Sequence, residues 1–336
     1  MPLTSPSNNY IVGIAKQTNE ATVNTVEEYG APVFSGTPLP VEGVDRIAVT
    51  DAAAIDGDPF KLGDQHWEAQ NLVFPAFGLH LGRLLFSLWP TDTLTGSSPN
   101  FSHAFSALGG ATTWQTMMHT DILGGAVEWT YEAGQCAGMS FSADENGGPL
   151  RVGYQIVGKR PTVASYTNAT PQSTSTDGYF TVKGAVLKYE ADSATPATEL
   201  NVQSFNLAVS RPVTPLATAD GQSVAYLGIG KISFDLTLTL LKDDHEMVRG
   251  AFFGAVGGST PSLTIPTGSV EINCVHTINA GHSFKLAIDK VALFETPPEP
   301  DPAASPLTSA VTGHIFKPAS GDHVKPTLIN ARASAY

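Results

Sequence analysis

The sequence is poor in charge: 15% of its residues are Asp, Glu, Lys or Arg, against roughly 25% in ordinary soluble domains. A surface so thinly charged is either solvated by hydroxyls and net charge or covered by partners. What charge there is runs one way, with 18 Lys and Arg against 31 Asp and Glu, a formal net charge of −13. Sequence-independent binding of nucleic acid needs clustered cations that displace counterions. That function class is excluded, whereas an acidic wall past which a polyanion slides without adhering is not.

Long hydrophobic runs are also missing. The longest apolar stretch, Leu79 to Trp89, is interrupted by His80 and Arg83 and falls short of the ~18 residues that a membrane span needs. Met1 to Asn9 is polar and has neither the basic nor the apolar region of a signal peptide. The two cysteines, Cys136 and Cys274, lie far apart without CxxC spacing; buried thiols are expected, with a single disulfide as the alternative. Together these absences predict a soluble chain made in a reducing cytoplasm, with no membrane partner.

Motifs that carry chemistry are absent too. Gly228–Ile229–Gly230–Lys231 has a phosphate-loop flavour, but no earlier Gly stands at the needed spacing and no helix is expected behind it, so it reads as a turn. No His pair has the i, i+4 spacing of a helical metal site. His276 and His282 bracket a turn and could face each other across a hairpin, while His103 and His119 suit structural hydrogen bonding. Asp56 and Asp58 lack the closing Glu of a calcium loop, and Asp144 and Glu145 sit at an expected hairpin tip. A hydrolase would have to use Asp144, Glu145 and His119, yet no nucleophile–base pair can be named. The expectation is a non-enzyme with no catalytic, cofactor-binding or metal site and no cofactor.

What is present is β periodicity. In Lys231–Leu241, Ile232, Phe234, Leu236, Leu238 and Leu240 alternate with Lys231, Ser233, Asp235, Thr237 and Thr239, a two-faced strand with one side in a core. Further strands are expected at 10–15, 46–50, 126–131, 136–143, 150–157, 179–190, 202–210, 262–265, 269–277, 284–294, 310–316 and 326–330. From His66 to Trp89 the apolar residues recur at steps of three and four, with a helix expected over 76–87 and stopped before Pro90. A second short helix is expected over 244–253, and residues 91–100 read as a polar loop. At 336 residues with 42% hydrophobic content, the chain can bury a large core. The organisation that follows is mainly β: an N-terminal arm with first strands over 1–60, a β-sandwich-like domain over 61–295, and a Pro-rich linker with closing strands over 296–336.

The order of these pieces resembles the tail tube protein of long-tailed bacteriophages. The resemblance rests on Tyr10 to Ala15, on Phe77 to Leu85, on Ser102 to Phe105, and on the hairpins from Trp129 to Gly158. It continues through the Phe234-centred strand, the 243–253 helix and Leu263 to Pro266. Each motif is short, and together they span nearly the whole chain. The resemblance implies a β-sandwich whose sheets join those of neighbours, in hexameric rings that stack into a hollow tube in the virion tail. It also implies assembly in the host cytoplasm, with the tape measure protein and the tail terminator and distal tail proteins as partners. DNA would pass through the lumen unbound. The chain exceeds the family's minimal domain, so residues 162–177 would decorate the outside. The alternative function is a carbohydrate-binding or virion-surface module, for which Trp89, Trp114, Trp129 and Tyr131 are the candidate platforms.

Overall fold

Alternation with a period of two builds the architecture. In Ser233–Leu241 the side chains of Leu236, Leu238 and Leu240 are buried while Asp235, Thr237 and Thr239 face outward, and Val202–Ser210 and Lys325–Asn330 repeat the pattern. The computed structural model describes residues 10–24, 29–36, 39–41, 47–48, 60–61, 66–110, 113–121, 129–143, 148–159, 161–163, 177–191, 196, 198–216, 224–241, 267–296 and 308–336. These are mainly β, as the periodicity predicts, with a large antiparallel sheet and one helix.

The sheet closes into a barrel. Trp129–Ala143 pairs with Val202–Ser210, and the ladder continues through Ser233–Leu241, Thr308–Ile315, Ser283–Thr296 and Gly268–His276 to Phe180–Ala191. Arg151–Gly158 completes the circuit. It pairs with Trp129–Ala143 on one side, and the residues just before it meet Phe180–Ala191 through a Pro149–Thr181 bridge and the Leu150 N–H donating to the Phe180 carbonyl. The expectation is a β-sandwich-like domain, which leaves closure of the sheet open. Amphipathic alternation sets which face of a strand is buried, but not whether the first and last strands of a sheet meet, and here they do.

Besides His66–Pro75, which lines the other side of Arg151–Gly158 and carries Leu39–Val41, two branches leave the barrel. Residues 283–287 of Ser283–Thr296 take Lys325–Asn330 as neighbour, and from there the sheet runs on through Asn100–Ser106 to Thr91–Ser97. The other branch begins where Trp129–Ala143 bends. Residues 129–131 pair with Gln115–Asp121, which leads to Tyr10–Lys16 and Tyr29–Pro32. The bend is a bulge at Ala133, whose φ of 50° lies in the left-handed region and at which the register shifts between Tyr131 and Gly134. Trp67 fills the space beneath it. Its ring lies where a Cβ on Gly134 or Gly158 would intrude, its Nε1–H donates to the Glu132 carbonyl at 2.8 Å, and Tyr131 packs 5.1 Å away.

The helix Gly78–Leu88 lies between the branches, buried at every residue except Leu79. It touches Lys325–Asn330, Trp129–Ala143, Tyr29–Pro32, Tyr10–Lys16 and Asn100–Ser106. A helix covered on all sides tolerates few polar groups, and the exceptions here sit among rings: His80 packs edge-on against Phe74 at 4.8 Å, and Arg83 lies near the rings of Phe86 and Tyr336.

Four expectations need correction. His66–Pro75 is a strand, although its apolar spacing suggests a helix: Trp67 and Ala69 point inward, a bulge at 70–71 shifts the phase, and Leu72 and Phe74 resume. That single shift imitates a helical step of three. The polar loop over 91–100 is largely the strand Thr91–Ser97, hidden because its inward face carries only Asp92, Leu94 and Gly96. The separate strands over 126–131 and 136–143 are one, Trp129–Ala143. The N-terminal arm is not free over Tyr10–Lys16 and Tyr29–Pro32, since Val12, Ile14 and Ala31 belong to the core. The expected helix at 244–253, the strand at 262–265 and the loop at 164–176 lie outside the described residues.

The strained bulge is open to test. Ala133→Gly removes the left-handed penalty at a buried position, and urea unfolding is expected to show a gain of about 0.5–1 kcal/mol. Ala133→Val, with a β-branched side chain at the same φ, is expected to lower stability by at least as much.

Candidate assembly surface

The residues singled out for chemistry serve the core or its turns. Cys136 and Cys274 are free and buried. Burial pushes both thiols up, Cys274 to about 12, and the nearby Arg211 guanidinium only partly offsets this at Cys136. Arg211 is spent on the backbone, its Nε and Nη2 donating to the Cys136 carbonyl at 3.2 and 2.9 Å. Neither thiol is poised as a nucleophile.

His276 and His282 do face each other, with ring centroids 5.3 Å apart. Their nitrogens are engaged by the turn, however. His276 Nδ1 accepts the backbone N–H groups of Ile278 and Asn279 at 3.3 and 3.1 Å, and His282 Nε2 lies 3.2 Å from Asn279 Nδ2. Among the described residues, no three His, Cys, Asp or Glu side chains gather as metal ligands would. His103 is a buried hydrogen bonder, 2.8 Å from Asp92 Oδ2 and 3.1 Å from the Arg332 carbonyl. His119 stands in Gln115–Asp121 opposite Trp129; its side chain, like Asp56, Asp58, Asp144 and Glu145, lies outside the described residues.

Of the candidate platforms, Trp89 and Tyr131 are core residues, and Trp89 donates its Nε1–H to the Val324 carbonyl. Trp114 is half-buried, and the Trp129 side chain is outside the described set. Gly228 to Lys231 leads from Tyr226–Ile229 into Ser233–Leu241, so a strand stands where a phosphate cradle would need a helix.

The sheet margin offers something different. Thr91–Ser97 pairs along its whole length with Asn100–Ser106, and among the described residues nothing pairs with its other side. Thr91, Thr93 and Thr95 are exposed, and the one charged residue, Asp92, is turned inward to His103. The strand has no Lys, no Arg and no Pro, the residues that ordinarily blunt such margins. Behind it the outward face stays small and uncharged, Thr93 beside Ala104 and Ala104 beside Thr327, until Lys285 is reached. At another margin, the hairpin of Val213–Leu216 and Tyr226–Ile229 exposes Leu216, Tyr226 and Ile229, a two-stranded sheet of marginal stability alone.

Beside the second margin, where Lys159 lies 5.9 Å from the centre of the Tyr226 ring, a hollow of about 400 Å³ is lined by Glu20, Glu132 and Lys159. The outward face of the barrel carries a trough of about 400 Å³ whose polar lining is Ser35, Gln70, Asn71, Ser140, Gln155 and Ser210, with no titratable side chain that is exposed. No family model matches the chain, and no curated protein matches it.

The interior histidines give the fold a defined acid limit. Burial lowers His80 to about 3, and burial together with His282 lowers His276. Both are held neutral in the folded chain, so the unfolded chain binds more protons once pH falls below the ordinary histidine value of about 6.5. Their contribution to stability is complete above that value and is lost as pH falls below it, for His80 down to about 3. The urea midpoint is expected to decline across this window, and His80→Leu to flatten the decline.

Proposed function

We propose that the chain is a structural subunit that works by pairing with copies of itself, as a tail tube subunit does. The observation that carries this reading is the margin at Thr91–Ser97, unpaired on its outer side among the described residues: a seven-residue strand, uncharged outward, set beside an outward face of Ser, Thr and Ala. A row of open backbone donors and acceptors is a template for another strand, and closing a circle among identical chains removes such margins.

Three features support the tube in particular. Low charge suits a surface that is largely covered by neighbours. A net charge of −13 suits a bore that passes DNA and a tape measure protein without holding either. The exposed Leu216, Tyr226 and Ile229 suit contact between successive rings, and the tube's ends would meet the tail terminator and distal tail proteins. The order of sequence pieces adds the likeness to phage tail tube proteins, with six-fold rings in the virion tail. The carbohydrate-binding alternative loses support, because Trp89 and Tyr131 are enclosed in the core.

Light scattering and negative-stain images of the concentrated protein are expected to reveal rings or tubes. Replacing Thr93 and Thr95 together by Lys places two charges on the open strand and is expected to leave a folded monomer, with a melting temperature close to that of the parent chain. A parent chain that stays monomeric at high concentration, or a doubly substituted chain that still forms rings, would refute the reading.

A further inference from the structure

Residues 331–336 belong to no strand, and they fold into a hook that is fastened from within. Arg332 organises it: Nε donates to the Ser334 carbonyl at 2.9 Å, Nη2 donates to the Ala335 carbonyl at 3.1 Å, and the guanidinium lies 4.3 Å from the centre of the Tyr336 ring. Ala331, Ala333, Ser334 and Ala335 are exposed, and Tyr336 is buried.

The socket that receives Tyr336 joins the interior helix to the open margin of the sheet. Its floor is Gly82, where a Cβ would lie 2.0 Å from Cζ of the tyrosine. His103 and Phe105 form a wall, with ring centroids 5.0 and 5.8 Å from that of Tyr336. Asn330 Nδ2 donates to the Tyr336 hydroxyl at 2.8 Å and to the Gly78 carbonyl at 3.0 Å. Asp92 closes the site, its Oδ2 accepting the Tyr336 N–H at 3.0 Å and lying 2.8 Å from His103 Nδ1, while His103 Nε2 reaches the Arg332 carbonyl at 3.1 Å.

We infer that the hook is a strap that positions the assembly margin: docking of Tyr336 against Gly82 fixes Asp92 and His103, and through them holds Thr91–Ser97 in the shape a second copy must meet. The inference rests on the self-pairing reading for its consequence, though not for its geometry. Among the described residues Thr91–Ser97 has a ladder on one side only, and of its own inward residues Asp92, Leu94 and Gly96 just Leu94 is large and apolar, so the buried Asp92 is a main inward footing. The carboxylate is buried, and two of its contacts, the Tyr336 N–H and the His103 ring, are tied to the hook. When the hook leaves, water enters beside Asp92 and the strand loses that footing. Because the hook has no ladder bonds, it can leave without unpairing the sheet. A strand ordered before its partner arrives loses less entropy on pairing, so the docked hook is the assembly-competent state. Tyr336, Arg332 and Gly82 are therefore positioning residues for a surface that none of them touches.

Gly82→Ala tests this directly. The three atoms nearest a Cβ at this position all belong to Tyr336, and alanine favours the helix, so the substitution evicts the hook and leaves the rest of the fold in place. Hydrogen exchange on the dilute, monomeric 336-residue chain is expected to show amides in 91–106 exchanging about tenfold faster or more in Gly82→Ala and in Tyr336→Ala. Amides in 233–241 and 283–291 keep parental rates, and Tyr336→Phe, which loses only the hydroxyl, retains most of the protection. At concentrations where the parent chain assembles, Gly82→Ala is expected to assemble at least tenfold more slowly. Parental exchange over 91–106 in both Gly82→Ala and Tyr336→Ala would overturn the strap. Faster exchange with assembly unchanged would overturn its link to pairing, and failure of the parent chain to assemble would overturn the functional reading while the exchange result still decides the strap.

Discussion

The bend in Trp129–Ala143 is the constraint on which the rest depends. This 15-residue strand belongs to the barrel beyond Gly134 and to the smaller branch before it, and no flat strand can serve both sheets. Ala133 supplies the turn of the backbone, and Trp67 supplies the wedge that keeps it open, seated where Gly134 and Gly158 have no side chains. The angle between the two branches creates an interior wide enough for a helix. Gly78–Leu88 fills it, and its small residue, Gly82, becomes the floor on which Tyr336 rests.

Polar groups in this interior are placed to orient rather than to react. Arg211 grips the Cys136 carbonyl, Asn330 spans the Gly78 carbonyl and the Tyr336 hydroxyl, and Asp92, His103 and Arg332 form a chain from the sheet margin to the hook. Buried polar contacts of this kind contribute little net stability, but each is costly to break. They make the position of the margin specific. The outward face at the Thr91–Ser97 margin follows the opposite rule, with Ser, Thr and Ala and no charge before Lys285.

Parts of this arrangement were legible in the residues. Strict alternation identified Val202–Ser210 to the residue and Ser233–Leu241 to within two, and the run from Phe77 to Leu88 announced a helix that ends before Pro90. Other parts were not. The phase shift at 70–71 disguised His66–Pro75, and Thr91–Ser97 was invisible to any hydrophobic pattern because a marginal strand with one covered face needs few apolar residues. The surface that carries the functional reading is that same strand, so a search for chemical motifs could not find it.

The sequence by itself determined that the chain is mainly β, that its charge is scarce and acidic, and that Cys136 and Cys274 are far apart with no partner motif. These are properties of composition and local periodicity, which act over a few residues. Only the tertiary structure decided that the sheet closes into a barrel, that Trp89 and Tyr131 lie inside, and that Tyr336 reaches back to Asp92 and Gly82. Each of these joins residues tens to hundreds of positions apart, and such contacts are selected by packing and hydrogen bonding across the whole molecule, which no local pattern encodes.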